Sequence, residues 1–311
     1  MADHPARQIP NEAWPELPTL DVWQDTCATL HLWTQIVGKI RLAQAPLINH
    51  WWNAALYVTP RGLTTSAIPH GARAFHIDFD FVGHTLRIGT SEGAEEAFAL
   101  ETLSVAAFYR KTMAALDALG LDVTIWPVPV ELPEVIPFED DEQHASYDAD
   151  AVHRFWRALV QADRVFTDFR ARFLGKTSPS HFFWGAFDLA VTRFSGRTAP
   201  PHPGGYPNIG DFVMQEAYSH EVASAGFWPG TGLGEAAFYA YAYPALDGFS
   251  THPVAPDAAY FHADLGEFVL PYEAVRTAHD PDAALLAFLQ TTYEATADLA
   301  DWDRDALERT G

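Results

Sequence analysis

Two histidines and a nearby carboxylate are the strongest candidates for chemistry in this sequence. His181 lies in the segment SHFFW and His220 in YSHEV, where Glu221 follows directly, and Asp188 lies a little further along the chain from His181. Two histidines with a carboxylate can bind a divalent metal or supply a general acid and a general base. The sequence therefore predicts His181, His220 and Glu221 as catalytic residues. The same three, with Asp188, are the predicted ligands of a divalent metal, which is the one cofactor these residues suggest.

Basic side chains around these histidines predict where a substrate binds. Arg193 and Arg197 follow His181, and His50 and Arg61 occupy the comparable stretch of the first half of the chain. Because arginine binds carboxylates and phosphates through paired hydrogen bonds, the expected substrate is a small anionic or polar metabolite. The alternative is structural, since a histidine beside tryptophan is often a half-buried core residue and arginine with aspartate on strands is often an internal ion pair.

Strand geometry limits how these residues combine. Successive residues of a regular strand face opposite sides, so His220 and Glu221 need a bulge or a turn to reach one site. On one continuous strand His181 and Asp188 would also face opposite sides, roughly 23 Å apart at about 3.3 Å per residue. His181 must therefore precede the strand, or the two residues serve different sites.

The familiar nucleotide-binding and hydrolase motifs are incomplete. Residues 175–177 (GKT) follow a predicted helix instead of opening one, and the glycine cluster at 230–234 leads into a tyrosine-rich strand, which indicates a hairpin loop. The zinc motif HExxH lacks its second histidine after His220, and no GxSxG segment is present.

Hydrophobic periodicity predicts four main helices and a set of antiparallel strands. The helices cover about 22–43, 103–119, 281–299 and a long segment from Asp148, its N-cap, to just before Gly175. The connections between most predicted strands are too short for helical crossovers, which indicates antiparallel pairing. The predicted strands are 53–59, 63–68, 73–82, 84–89, 96–100, 184–194, 214–225, 236–243 and 266–270. Tyr239, Tyr241 and Tyr243 would share one strand face and line a pocket or an oligomer interface.

A repeat indicates that the chain contains two related halves. Trp33 matches Phe166, Trp51 matches Trp184 and Leu56 matches Leu189 at one constant offset of 133 residues. The predicted fold is α+β, with two fused α-β-β-β-β-α halves, antiparallel sheets and pseudo-twofold symmetry. The predicted halves are residues 1–126 and 148–311, joined by a proline-rich and acidic linker at 127–147; coincidental similarity of two helix-to-strand segments is the alternative.

Composition excludes several classes of partner. The 311 residues include 41 Asp and Glu against 19 Lys and Arg, a formal charge of −22. A nucleic-acid partner and an anionic membrane surface both require a basic face that this chain lacks. A single cysteine excludes an internal disulfide. Since the first residues lack a signal-peptide pattern and no stretch is apolar enough to cross a membrane, the expected location is cytoplasmic.

Four segments give the chain a family resemblance. They are WQDTCATLHLWTQ at 23–35, HFFWGAFDLAVTRFSGR at 181–197, EAYSHEV at 216–222 and AGFWPG at 225–230. On these segments the chain resembles a bacterial protein family of unknown function, over nearly all of its length from Trp14 to Leu307. The resemblance implies no activity, cofactor or catalytic residue.

The function expected from the residues is that of a cytoplasmic enzyme that acts on a small anionic or polar metabolite. The predicted metal ligands would make its activity depend on a divalent metal. Two alternatives stay open: a non-catalytic module that binds a small molecule, and a structural protein that forms a homo-oligomer.

Overall fold

The computed structural model describes residues 13–309, so the first twelve residues, where the absence of a signal pattern is expected, and the last two lie outside the described part. Seven α-helices and twelve strands lie between residues 13 and 309. The helices are α1 (Leu20–Gln44), α2 (Val105–Ala118), α3 (Ala149–Ala171), α4 (Asp211–Ala217), α5 (Tyr272–Arg276), α6 (Pro281–Leu299) and α7 (Arg304–Leu307). None of them is both long and apolar enough to span a bilayer.

The four main predicted helices are confirmed as α1, α2, α3 and α6, and side chains cap three of them. Ser104 accepts a hydrogen bond from the Ala107 amide, Asp148 from the amides at the start of α3, and Asp280 from the Ala283 amide. Such caps satisfy amides that the first turn of a helix leaves free. They explain why the predicted boundaries differ from the observed ones by only a few residues.

The first half builds a six-stranded antiparallel sheet. Its strands are β1 (Tyr57–Thr59), β2 (Gly62–Thr64), β3 (Ile68–His70), β4 (Arg73–Asp80), β5 (Thr85–Thr90) and β6 (Glu95–Ala99), in the order β1-β2-β4-β5-β6 with β3 also pairing with β4. Phe75, Ile77 and Phe79 of β4 are buried in the core, as the alternating sequence predicts.

The second half builds another six-stranded antiparallel sheet. Its strands are β7 (His181–Phe183), β8 (Asp188–Thr198), β9 (His220–Trp228), β10 (Ala237–Tyr243), β11 (Tyr260–His262) and β12 (Glu267–Pro271), in the order β11-β12-β10-β9-β8-β7. The strand predicted at 214–225 is wrong in its first part. Residues 211–217 form α4, because Met214 to Ala217 are helix formers after a glycine and the β-type alternation begins only near Val222.

The α+β class with two antiparallel sheets is confirmed, with six strands in each half instead of four. Pseudo-twofold symmetry and the division at 127–147 stay predictions. The two sheets meet at their edges, where the Leu56 and Phe182 backbones exchange hydrogen bonds of 2.9 and 2.8 Å. The proline-rich segment is held to α1, because the Gln35 side chain donates to the Val130 carbonyl and accepts from the Val130 amide, each at 2.9 Å.

Candidate functional site

One face of the second sheet is polar although much of it is buried. Helices α3 and α6 pack on the opposite face, where Phe227 and Phe238 contact Phe155 and Phe166. The face turned away from those helices, here called the outer face, carries polar side chains from four adjacent strands: Asp188, Thr192, Ser224, Tyr239, Tyr241 and Glu267. Buried polar groups require partners, and such a face is a candidate site.

Asp188 is the most deeply buried carboxylate of the outer face, with 6% of its surface exposed. The Tyr239 hydroxyl donates a hydrogen bond to Asp188 Oδ2 from two strands away. Tyr239 reaches it across β9 at Gly226, where a Cβ atom would overlap the tyrosine hydroxyl and ring. A glycine at this position is therefore what allows the tyrosine and the carboxyl group to meet.

Two glutamates interact electrostatically with Asp188. Glu131 comes from the proline-rich segment, where its amide donates to the Pro207 carbonyl at 2.8 Å, and its carboxylate lies so close over Gly185 that a Cβ atom there would overlap it. Glu267 lies on β12 opposite Tyr241. None of the three takes part in the ion pairs formed among residues 13–309. We call Glu131, Asp188 and Glu267 the carboxyl cluster.

The pKa values of the three carboxyl groups of the cluster lie near neutral pH. Burial raises the pKa of Glu131, Asp188 and Glu267 to about 7 in each case, and for the two glutamates the nearby Asp188 carboxylate contributes to that rise. The Tyr239 hydrogen bond acts in the opposite direction on Asp188. Carboxyl groups with a pKa near the working pH can both donate and accept a proton, which is the property of a general acid or base.

Aromatic side chains cover the carboxyl cluster. The Tyr218 and Tyr241 hydroxyls lie 2.7 Å apart, and the His202 ring stacks on Tyr218 with 4.8 Å between ring centroids. Tyr239, Tyr241 and Tyr243 share the outer face as predicted, and residues 200–218 of the same chain lie over it.

The hairpin of β7 and β8 places His181 on the same face as Asp188. His181 pairs with Ala190, and Phe183 pairs with Asp188, because residues 184–187 turn the chain back. His181 therefore precedes the strand that carries Asp188, as one of the two predicted arrangements requires. His181 is 1% exposed and lies among Trp52, Tyr57 and Phe183, and neither of its ring nitrogens has a hydrogen-bond partner among residues 13–309. Burial lowers its pKa to about 3.

His220 and Glu221 point to different sides of β9, as alternation requires. The His220 ring lies 5.6 Å from the His50 ring, whereas Glu221 accepts from Arg197 at 2.7 Å. Within residues 13–309 no three His, Cys, Asp or Glu side chains are grouped so that they could hold a metal ion. The four predicted ligands are thus not gathered, because Glu221 faces away from His181, His220 and Asp188.

The three predicted arginine anchors make internal contacts. Arg61 pairs with Asp80 at 2.7 Å, and Arg197 also donates to the Ala300 carbonyl at the end of α6. Arg193 is 1% exposed on the helix side of the sheet, with its guanidinium carbon 3.5 Å from the Phe169 ring centroid and 4.3 Å from that of Tyr293. Their role in binding substrate stays a prediction.

We expect Arg193→Met to leave ligand binding by the chain unchanged. Methionine fills a similar volume, and replacing a buried charge by an apolar side chain is often nearly neutral, so the unfolding free energy should stay within about 1 kcal/mol of wild type. Arg193→Ala, which leaves a cavity, should cost about 3 kcal/mol. Urea unfolding of both variants checks the two expected free energies of unfolding. Loss of ligand binding in a fully folded Arg193→Met variant would support the substrate-anchor role instead.

Sequence reasoning missed Glu131, Tyr239 as a partner of Asp188, and Glu267. Glu131 was hidden because its segment has the composition of a linker, and Glu267 because Asp188, with which it interacts, is distant in sequence. The signal that was available is Gly226 between large residues of a buried strand, which indicates close approach of another group.

A family profile described as a family of unknown function, DUF5996, matches residues 14–309. The chain belongs to this family. No curated protein and no solved structure matches it.

Proposed function

We propose that this protein is an enzyme that acts on a small polar metabolite by general acid and base catalysis at the carboxyl cluster. The observation that supports it is the arrangement of Asp188 and Glu131. They approach from β8 and from the proline-rich segment, Asp188 is buried and Glu131 is partly buried, and neither forms an ion pair with a basic side chain among residues 13–309. A purely structural site would be expected to pair such groups.

The electrostatics of the site favour an uncharged or cationic substrate there. Three carboxyl groups repel an anion, whereas an amine or a hydroxyl-rich molecule can donate hydrogen bonds to them. The tyrosines beside them offer aromatic faces to an apolar or cationic part of the substrate. Asp188 and Glu131 then serve as proton donor and acceptor, and Tyr239 orients Asp188.

Turnover in a defined mixture of polar metabolites tests the proposal. The wild-type protein is incubated with uncharged, cationic and anionic compounds, and substrates and products are followed by mass spectrometry. We expect at least one uncharged or cationic compound to be consumed, with a rate that falls at least 100-fold in Asp188→Asn and Glu131→Gln, in the range for loss of a general acid or base. Asp247→Asn, at an exposed carboxyl outside the cluster, is the matched control.

A ligand that stabilises the wild-type protein and is recovered unchanged would favour the non-catalytic binding module. Equal turnover in wild type and in both cluster variants would contradict the proposed acid and base roles.

A further inference from the structure

A second group of ionisable side chains lies on the outer face, away from the carboxyl cluster, and it is basic. The Lys176 ammonium donates to His50 Nε2 at 2.8 Å, and the His50 and His220 ring centroids are 5.6 Å apart. Phe194, which contacts His50, lies six residues beyond Asp188 on β8, about 20 Å along the strand. We call His50, Lys176 and His220 the basic cluster.

Hydrogen bonds define which donors of the basic cluster remain free. His50 Nδ1 donates to the Ala217 carbonyl at 2.9 Å, so its Nε2 accepts from Lys176 and the ammonium keeps two further N–H groups. Burial lowers the pKa of His50, the hydrogen bond to the Ala217 carbonyl acts in the opposite direction, and the neighbouring Lys176 and His220 lower it as well. His220 Nδ1 lies 3.1 Å from the Ser219 hydroxyl, and with that hydroxyl as donor the Nε2–H of His220 is free for a ligand.

Aromatic rings form the walls around the ammonium group. Lys176 Nζ lies 5.0 Å from the Trp52 ring centroid and 4.7 Å from that of Phe194. Trp52 also contacts His181, whose two ring nitrogens are buried and find no hydrogen-bond partner in the described part of the chain. The faces of both rings attract the ammonium group and help to hold it beside His50.

Carboxylates are not paired with this cluster in the described part of the chain. No ion pair within 4.0 Å among residues 13–309 involves His50, Lys176 or His220, and the adjacent Glu221 is turned to the helix side, where it binds Arg197 at 2.7 Å. In a chain of formal charge −22, an ammonium group beside two histidines, with no carboxylate partner among residues 13–309, forms a local site for an anion.

The backbone that carries His50 is held in a strained form. His50 and Trp51 both have φ values of 59°, in the left-handed region that residues other than glycine rarely adopt. Contacts with α4 hold the turn, through the Ala217 carbonyl and through Phe212, whose ring lies 5.8 Å from that of Trp51. Strain that the surrounding structure maintains is often found at binding sites.

We propose that the basic cluster binds the oxyanion of a small ligand, a phosphate or a carboxylate group, between the Lys176 ammonium and the His220 Nε2–H. His50 holds the ammonium in place, and Trp52 and Phe194 flank it. This site is independent of the carboxyl cluster and stands if the acid and base proposal fails.

Calorimetric titration with inorganic phosphate and, separately, with acetate tests the proposal at constant ionic strength set with sodium chloride. We expect saturable binding of at least one anion to the wild-type protein, and binding at least tenfold weaker in both Lys176→Met and His220→Gln. Lys111→Met is the matched control, since Lys111 Nζ of α2 also lies over an aromatic ring, 5.6 Å from the centroid of Phe98 in the first sheet.

The two anions distinguish the ligand sources: binding of phosphate alone indicates a phosphorylated ligand, and binding of acetate alone a carboxylic acid. Lys176 is exposed, so its substitution is not expected to prevent folding, and melting of each variant in chloride checks this. The proposal is overturned if neither anion binds more tightly than chloride, if both cluster variants bind as wild type does, or if Lys111→Met weakens binding as much as they do.

Discussion

Asp188→Asn is expected to stabilise the folded chain at pH 8 and to leave its stability nearly unchanged near pH 4. Burial raises the pKa of Asp188 from 3.8 to about 7 in the folded state, so the folded protein holds a proton that the unfolded chain releases. Each pKa unit corresponds to about 1.4 kcal/mol. Because the three carboxyl groups share the effect, we expect a gain of about 2 kcal/mol at pH 8 from this one substitution.

The direction of this stability change with pH follows from proton linkage. A folded state that binds more protons than the unfolded state loses stability as the pH rises, and here the window runs from about pH 4 to about pH 7. Asparagine carries no titrating proton, accepts the same hydrogen bond from Tyr239, and removes this loss. The stability of wild type and variant should therefore coincide below the window and separate through it.

Urea unfolding at several pH values between 4 and 8 measures this difference. Asp247→Asn, at an exposed carboxyl group, should show no pH-dependent gain. A variant that is less stable than wild type at pH 8 would contradict the expectation and would indicate that a cation is bound to the Asp188 carboxylate in the folded protein.

Elements that depend on local sequence were predictable. The spacing of apolar residues and the N-caps Asp148 and Asp280 predict α3 and α6. Both signals lie within the helix sequence itself and do not depend on residues distant in the chain. α4 was missed because a helix of seven residues has little periodicity of its own, and its contacts are with the distant turn at Asn49–Trp51.

The candidate sites depend on contacts between distant residues, which sequence pattern does not encode. His181 and Asp188 reach one face only because residues 184–187 form a turn, and Glu131 reaches Gly185 across the junction of the halves. Residue type alone also gave no distinction between Arg193, which is buried on the helix side, and a substrate anchor. The histidines were found as a group, whereas Lys176, within a rejected phosphate-loop pattern, was not.

Gly38→Ala is expected to destabilise the chain by about 2–3 kcal/mol, although alanine is normally the better helix former by about 1 kcal/mol. The Trp184 indole lies directly across Gly38 in α1, so a Cβ atom would overlap it. Trp184 is 7% exposed and donates to the Ala54 carbonyl at 2.7 Å, which leaves it little room to move. Overpacking of this kind typically costs 1–3 kcal/mol, and the lost hydrogen bond adds about 1 kcal/mol.

A double-variant cycle separates steric conflict from helix propensity. Trp184→Ala alone should cost about 3–5 kcal/mol through the cavity it leaves. In that background the effect of Gly38→Ala on the unfolding free energy should change sign. The substitution should then stabilise the chain by up to about 1 kcal/mol, because only the helix preference of alanine remains. An unchanged cost in both backgrounds would show that Gly38 is required for a reason other than Trp184.

Gly185, which follows Trp184, accepts a hydrogen bond from His31 of α1 at 2.9 Å and lies beneath the Glu131 carboxylate. Gly38→Ala should therefore also displace Glu131, and lower any turnover at the carboxyl cluster more than its effect on stability alone accounts for.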